Sequence, residues 1–179
     1  YMRSFYKEMV PNKKTITAIT YYSGQSQRYW TDFNLYGQGM IALTQFKRGN
    51  ASSAIKIIAS LKERSIISEE LGMYWKDNQS SWYWHEAPIE TQALLIEAFS
   101  EIDKDSKTID LLKLWLLKNK QVNQWKTTKA TTEAIYALLL NGNDWLSNTE
   151  LAEVTIGTQK LNLAQVIQSK VLGTQRYHT

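Results

Sequence analysis

The chain has no cysteine and only two histidines in 179 residues, with two prolines and eight glycines. The first absence removes a set of chemistries at once. There is no disulfide, no thiolate nucleophile, no Cys-ligated zinc, no iron–sulfur cluster and no internal thioester. It does not fix the compartment, because oxidising and reducing locations both tolerate a Cys-free chain. The histidines, His85 and His178, form no pair at helical spacing, so no zinc site and no resident cofactor is expected. No Gly-x-Ser-x-Gly elbow is present, and Gly37-Gln-Gly39 lacks the third glycine and the preceding strand of a phosphate-binding loop. No apolar run approaches the roughly 18 residues of a membrane span. The sparse proline and glycine favour helix over a turn-rich β fold.

What is present is ordinary globular composition, 43% hydrophobic and 21% charged. The net charge is +4, and the densest basic stretch, Lys118, Lys120, Lys126 and Lys129, is interrupted by Gln, Asn and Trp. That pattern reads as a solvated face, not a nucleic-acid groove. The opening residue is Tyr1 and no signal-peptide layout follows it, so the sequence is read as part of a longer protein.

Helical periodicity predicts five helices. The first runs over 33–47, with Asp32 as N-cap and Gly49 closing it. The second runs over 51–64 on Ala54, Ile57, Ile58 and Leu61. The third begins at Pro88, which suits a first turn, and ends near Ile102 with a stripe of Ile89, Ala93, Ile96 and Phe99. The fourth covers 107–119 on Ile109, Leu112, Trp115 and Leu116. The fifth covers 128–140 on Ala134, Ile135, Leu138 and Leu139, stopped by Asn141-Gly142. Weaker helical patterns lie at 2–9 and 15–22, the latter burdened by the β-branched run Thr15-Ile16-Thr17. Val154-Thr-Ile-Gly-Thr-Gln-Lys-Leu161 alternates around a glycine and predicts a short strand, a turn and a second strand.

The helices repeat. Gly39, Ala93 and Ala134 each precede an apolar run and lie 54 and 41 residues apart. Helices of a second kind, around 55–61 and 109–117, alternate with them. A period of this size built from helix pairs means a solenoid or a ring of hairpins. The small residues allow close helix approach, which places the first kind in an inner layer. A partial ring would leave an apolar helix face uncovered, so self-association is expected.

The most unusual segment is Met73-Tyr-Trp-Lys-Asp-Asn-Gln-Ser-Ser-Trp-Tyr-Trp-His-Glu-Ala-Pro88. Trp75, Trp82, Trp84, His85, Glu86 and Glu90, joined by Trp125 from a later loop, form the candidate interaction surface. Three readings fit these residue types. The aromatics fill a wedge between helices, they form a partner-binding face, or they line a sugar cleft in which Asp77, Glu86 or Glu90 supply acid and base. The run Thr127-Thr-Lys-Ala-Thr-Thr-Glu133 is read as helix capping.

Taken in order, Asn34-Leu-Tyr-Gly-Gln-Gly-Met-Ile-Ala-Leu43, Ile89-Glu-Thr-Gln-Ala-Leu-Leu-Ile-Glu-Ala-Phe99, Leu112-Lys-Leu-Trp-Leu-Leu-Lys-Asn-Lys-Gln121 and Trp125-Lys-Thr-Thr-Lys-Ala-Thr-Thr-Glu-Ala-Ile-Tyr-Ala-Leu138 resemble the later part of the thioester-type domain of the bacterial alpha-2-macroglobulin family. The resemblance covers about 33–145. It implies a mainly α fold, a partial α/α toroid of helix hairpins over 1–150, with 151–179 as the start of an adjoining β domain. The family's Gly-Cys-x-Glu-Gln thioester cannot occur here, so no reactive residue is carried over. The resemblance implies an interaction module of a protease inhibitor rather than an enzyme. Its expected partners are proteases, met through the full-length protein, and other domains of the same chain. No nucleic acid is expected, nor membrane insertion by this segment. The implied location is extracytoplasmic, periplasmic or envelope-anchored through a region outside this sequence. The alternative is an α/α-toroid carbohydrate-active enzyme or glycan-binding region built on Trp75–Glu90.

Overall fold

The computed structural model describes residues 1, 4, 10–79, 87–120, 125 and 127–140, and four two-residue strands further on. The chain divides into two compact units, Tyr1–Gly142 and Asn143–Thr179. The protein is mainly helical.

In the first unit, α1 spans Lys13–Tyr29 and runs into a 3-10 turn at Trp30–Asp32. Then come α2 (Leu35–Lys47), α3 (Ala51–Glu63), a hairpin of β1 (Ile66–Ser68) and β2 (Gly72–Tyr74), α4 (Pro88–Ile102), α5 (Ser106–Lys118) and α6 (Thr128–Leu139). The second unit holds two antiparallel pairs. β3 (Thr155–Ile156) pairs with β4 (Gln159–Lys160), and β5 (Ile167–Gln168) with β6 (Gln175–Arg176). The strand–turn–strand expected from the alternation around Gly157 is the first of these.

Local chemistry accounts for the boundaries. Asn34, not Asp32, caps α2, its Oδ1 accepting from the Gly37 N–H at 2.9 Å. The asparagine sits at the register where its oxygen reaches an orphan donor. Asp32 is taken up in the 3-10 turn instead. The end of α2 is a Schellman motif: Gly49 adopts φ +88°, its N–H bonds to Phe46 O, and Asn50 N–H bonds to Gln45 O. Thr127 caps α6, accepting from the Ala130 N–H at 3.0 Å, as the capping reading expected. α4 begins at Pro88 and ends at Ile102, as its sequence predicted.

Helix α1 is longer than its sequence suggested. Asn12 caps it through the Thr15 N–H, and Thr17 and Thr20 turn their hydroxyls back onto the carbonyls of Lys13 and Ile16. The β-branched side chains thus satisfy themselves on the helix surface. None of its 17 residues is buried. A polar clamp fixes it to α2. Gln45, fully buried in α2, donates from Nε2 to Ser23 O (3.0 Å) and Ser26 Oγ (2.8 Å), while its Oε1 accepts from Gln27 Nε2 (3.0 Å) and Asn50 Nδ2 (2.7 Å).

Helices α2, α4 and α6 are successive neighbours, and the principal helix contacts of α1, α3 and α5 are with this row. Gly39 explains part of the closeness: a Cβ there would lie 3.1 Å from a Leu95 methyl and 3.3 Å from one of Leu94. A consistent rule emerges. α2 packs against the pair α3 and α4, and α4 packs against the pair α5 and α6. Among the described residues, the connections within the pairs α1–α2, α3–α4 and α5–α6 each carry one buried tryptophan: Trp30, Trp75 and Trp125 respectively. The repeat is therefore a helix, a tryptophan and a helix, three times over.

Three faces differ from the sequence expectation. α4 is buried all round from Glu90 to Phe99, not along one stripe, because it has neighbours on several sides. α6 buries Ala130, Ala134 and Ala137, leaving Ile135 and Leu139 exposed and Leu138 half-buried. Alanines win the contact with α4 because they permit the closest approach. In α5, Trp115 is only half-buried while Lys113 is buried. The 2–9 pattern, apart from Ser4, lies outside the described residues, as does Asn141-Gly142.

Candidate interaction surface

The structure separates the residues that the sequence grouped. Trp75 and Trp125 are core, not surface. Each indole N–H donates to a carbonyl in the last turn of the preceding helix: Trp75 to Leu61 O of α3 at 2.9 Å, Trp125 to Leu116 O of α5 at 3.0 Å. The two acceptors occupy equivalent positions, third from the end of their helices. Burial of a ring of this size with its polar tip satisfied is the reason they face inward. Trp75 also packs on Phe99, with ring centroids 6.2 Å apart. Glu90 sits in the first turn of α4 and is buried. Asp77 is exposed. Trp82, Trp84, His85 and Glu86 lie outside the described residues.

A different group converges on the α2–α4–α6 row. Burial pushes the Tyr36 phenol of α2 above its ordinary pKa, and Glu133 of α6 and Glu90 of α4 push it further. Tyr136 of α6 is raised by burial and by Glu97, Glu101 and Glu133. The Tyr1 hydroxyl donates to Glu97 Oε2 at 3.2 Å, and burial with the adjacent Glu97 charge raises its pKa strongly. Lys47, at the end of α2, pairs with Glu101 at 2.7 Å. The result is an acidic, tyrosine-rich patch on a chain that is net positive. The signal for it was in the sequence, since Glu90, Glu97 and Glu101 fall seven and four residues apart on one helix face. Among the described residues no group of carboxylates or histidines is arranged to hold a metal ion.

Glu97 is the strained member of this patch. Burial raises its carboxyl pKa, Glu101 and Glu133 raise it further, and the Tyr1 hydrogen bond and Lys47 oppose the rise. A folded-state pKa above the unfolded one means that the native state binds more protons. Glu97's contribution is therefore complete below its ordinary pKa and is lost as pH climbs through the raised value. Glu97→Gln keeps an acceptor for Tyr1 without the charge. It should raise Tm at neutral pH, with the gain shrinking to nothing at pH values below the ordinary glutamate pKa. Paired thermal melts across that range check it; an equal shift at every pH would refute the assignment.

No family model matches this chain, and neither the curated proteins nor the solved structures yield a match.

Proposed function

We propose that this chain is the helical region of an alpha-2-macroglobulin-like protease trap, acting as scaffold and interaction module without thioester chemistry. The observation that carries this reading is the alternation of two kinds of helix, in which the small-residue kind forms a contiguous row and the other kind packs upon it. That is the arrangement an α/α toroid requires, and it falls on the segments whose order resembles the family. Buried Trp75 and Trp125 cannot stack on a sugar, so the glycan reading loses two of its four tryptophans. In the proposed setting the protein works outside the cytoplasm, and its target is a protease met by the whole molecule.

The test mixes the full-length protein with a broad-specificity protease and resolves the products on a sizing column. Limited cleavage, a compacted species and co-eluting protease are the expected result. Complete degradation with no retained protease would remove the trap reading.

A further inference from the structure

We propose that α1 is a detachable strap: it leaves α2 as one piece while the rest of the first unit stays folded, and Gln45 is the latch that holds it. The proposal rests on the packing of α1 alone and not on the macroglobulin reading.

Helices α2 to α6 are each held by buried apolar side chains. α1 is held differently. None of its residues is buried. Of its apolar residues only Ile19 is half-buried, whereas Ile16, Tyr21, Tyr22 and Tyr29 are 45% to 68% exposed. Among the described residues, every hydrogen bond between α1 and α2 passes through the fully buried Gln45. A polar joint of this kind releases more readily than an apolar one. Water can replace each of its bonds once the joint parts, and little apolar surface is returned to solvent.

The neighbouring backbone supplies the pivot. Trp30, directly after α1, is buried, and its carbonyl accepts from the Phe33 N–H at 3.3 Å. The chain is therefore anchored from Trp30 onward. Tyr29, with φ −116° and ψ 18°, is where the backbone departs from helical values. Within the helix, nothing lies within 4 Å of the would-be Cβ of Gly24. No close approach requires a glycine there, and it weakens the interior of α1. Thr15, Ile16, Thr17, Ile19 and Thr20 are all β-branched. Freed from α2, such a segment is too short and too poor a helix former to persist. Release and melting are thus one step, and α1 is either docked and helical or free and unfolded.

Hydrogen exchange on the full 179-residue chain tests this, with everything that lies against α1 in place. The amides of 17–29 should exchange as a group, about a hundredfold or more faster than the buried amides of α4, and with a weaker dependence on urea. Gln45→Leu should speed that group roughly tenfold and leave α4 at its wild-type rate. Ser26→Ala, at a half-buried position on α1 itself, replaces it if Gln45→Leu misfolds, and should give about a fivefold acceleration. Gly24→Ala should slow the group about two- to fivefold. Exchange of α1 at the rate of α4 would overturn the proposal, because α1 would then open only with the whole unit. So would exchange graded inwards from Lys13, or a latch variant that leaves α1 unchanged or speeds α1 and α4 alike. Each of those outcomes leaves the protease-capture experiment unaffected.

Discussion

Gly72→Ala should destabilise the first unit by about 3–5 kcal/mol, enough to consume much of the stability of a domain this size. Two independent costs act at this position. Gly72 opens β2 at φ +80°, a conformation that L side chains rarely adopt. A Cβ built there would also collide with Leu111 O and stand 2.8 Å from Trp115 N, both backbone atoms of α5. Neither can rotate away as a side-chain methyl could. The hairpin would have to lift from α5, pulling Met73, which is fully buried, out of the core. Gly49→Ala is the informative control. It shares a positive φ, +88°, but nothing lies within 4 Å of its would-be Cβ. It should cost only about 1–2 kcal/mol, the strain term alone. Urea unfolding of both variants measures the difference. Equal losses would show that the hairpin–helix approach is softer than the geometry implies.

The same hairpin marks the boundary of what the sequence could disclose. The bounds of α3 and α4 and the end of α2 were readable almost to the residue, because the α3 stripe, Pro88 and the Gly49 stop are local signals. The β1–β2 hairpin was not. Its strands are three residues long, and Glu69-Glu70-Leu71 carries no strong turn dipeptide. Gly72 is demanded by an α5 backbone some forty residues further along, which no local pattern encodes. α6 failed in the opposite direction. Ile135 and Leu139 looked like core by hydrophobicity, but the helix that lies against α4 needs small side chains, so the alanines are buried. The tryptophans show why the site was hardest to read. A buried indole capping a helix and an exposed indole stacking on a ligand are the same residue type in the same kind of connection. Only the acceptors, Leu61 O and Leu116 O, distinguish them. The acidic patch was legible in α4 alone, whereas the approach of Tyr36, Glu133 and Tyr136 depends on the order of the row.

Gln92→Glu should be the second severe substitution, with a signature in pH. Gln92 is fully buried in the second turn of α4. Its Nε2 donates to Met73 O in the hairpin at 2.9 Å and to Leu112 O in α5 at 3.1 Å. One amide thereby holds three elements together, and both partners are oxygens. A protonated carboxyl has a single O–H and can replace one of the two bonds. An ionised carboxyl replaces neither, and it sets a buried negative charge against two carbonyl dipoles. The introduced acid should therefore have a folded-state pKa far above that of a free glutamate. More protons are then bound in the folded state, so the variant is least damaged below about pH 4 and loses stability as pH rises towards neutral. The loss at neutral pH should reach about 3–5 kcal/mol. Gln92→Met separates the contributions: it removes both hydrogen bonds without a charge, at about 2–3 kcal/mol and with no pH dependence beyond that of wild type. Thermal or urea melts of the three proteins at acid and neutral pH decide between the terms. If the Glu and Met variants tracked each other at both pH values, the site would have to be open enough for water to solvate a carboxylate. The seam of hairpin, α4 and α5 would then be a wet crevice. If they diverge as expected, that seam is a dry joint, held rigid by an amide that neither helix propensity nor hydrophobic pattern would single out.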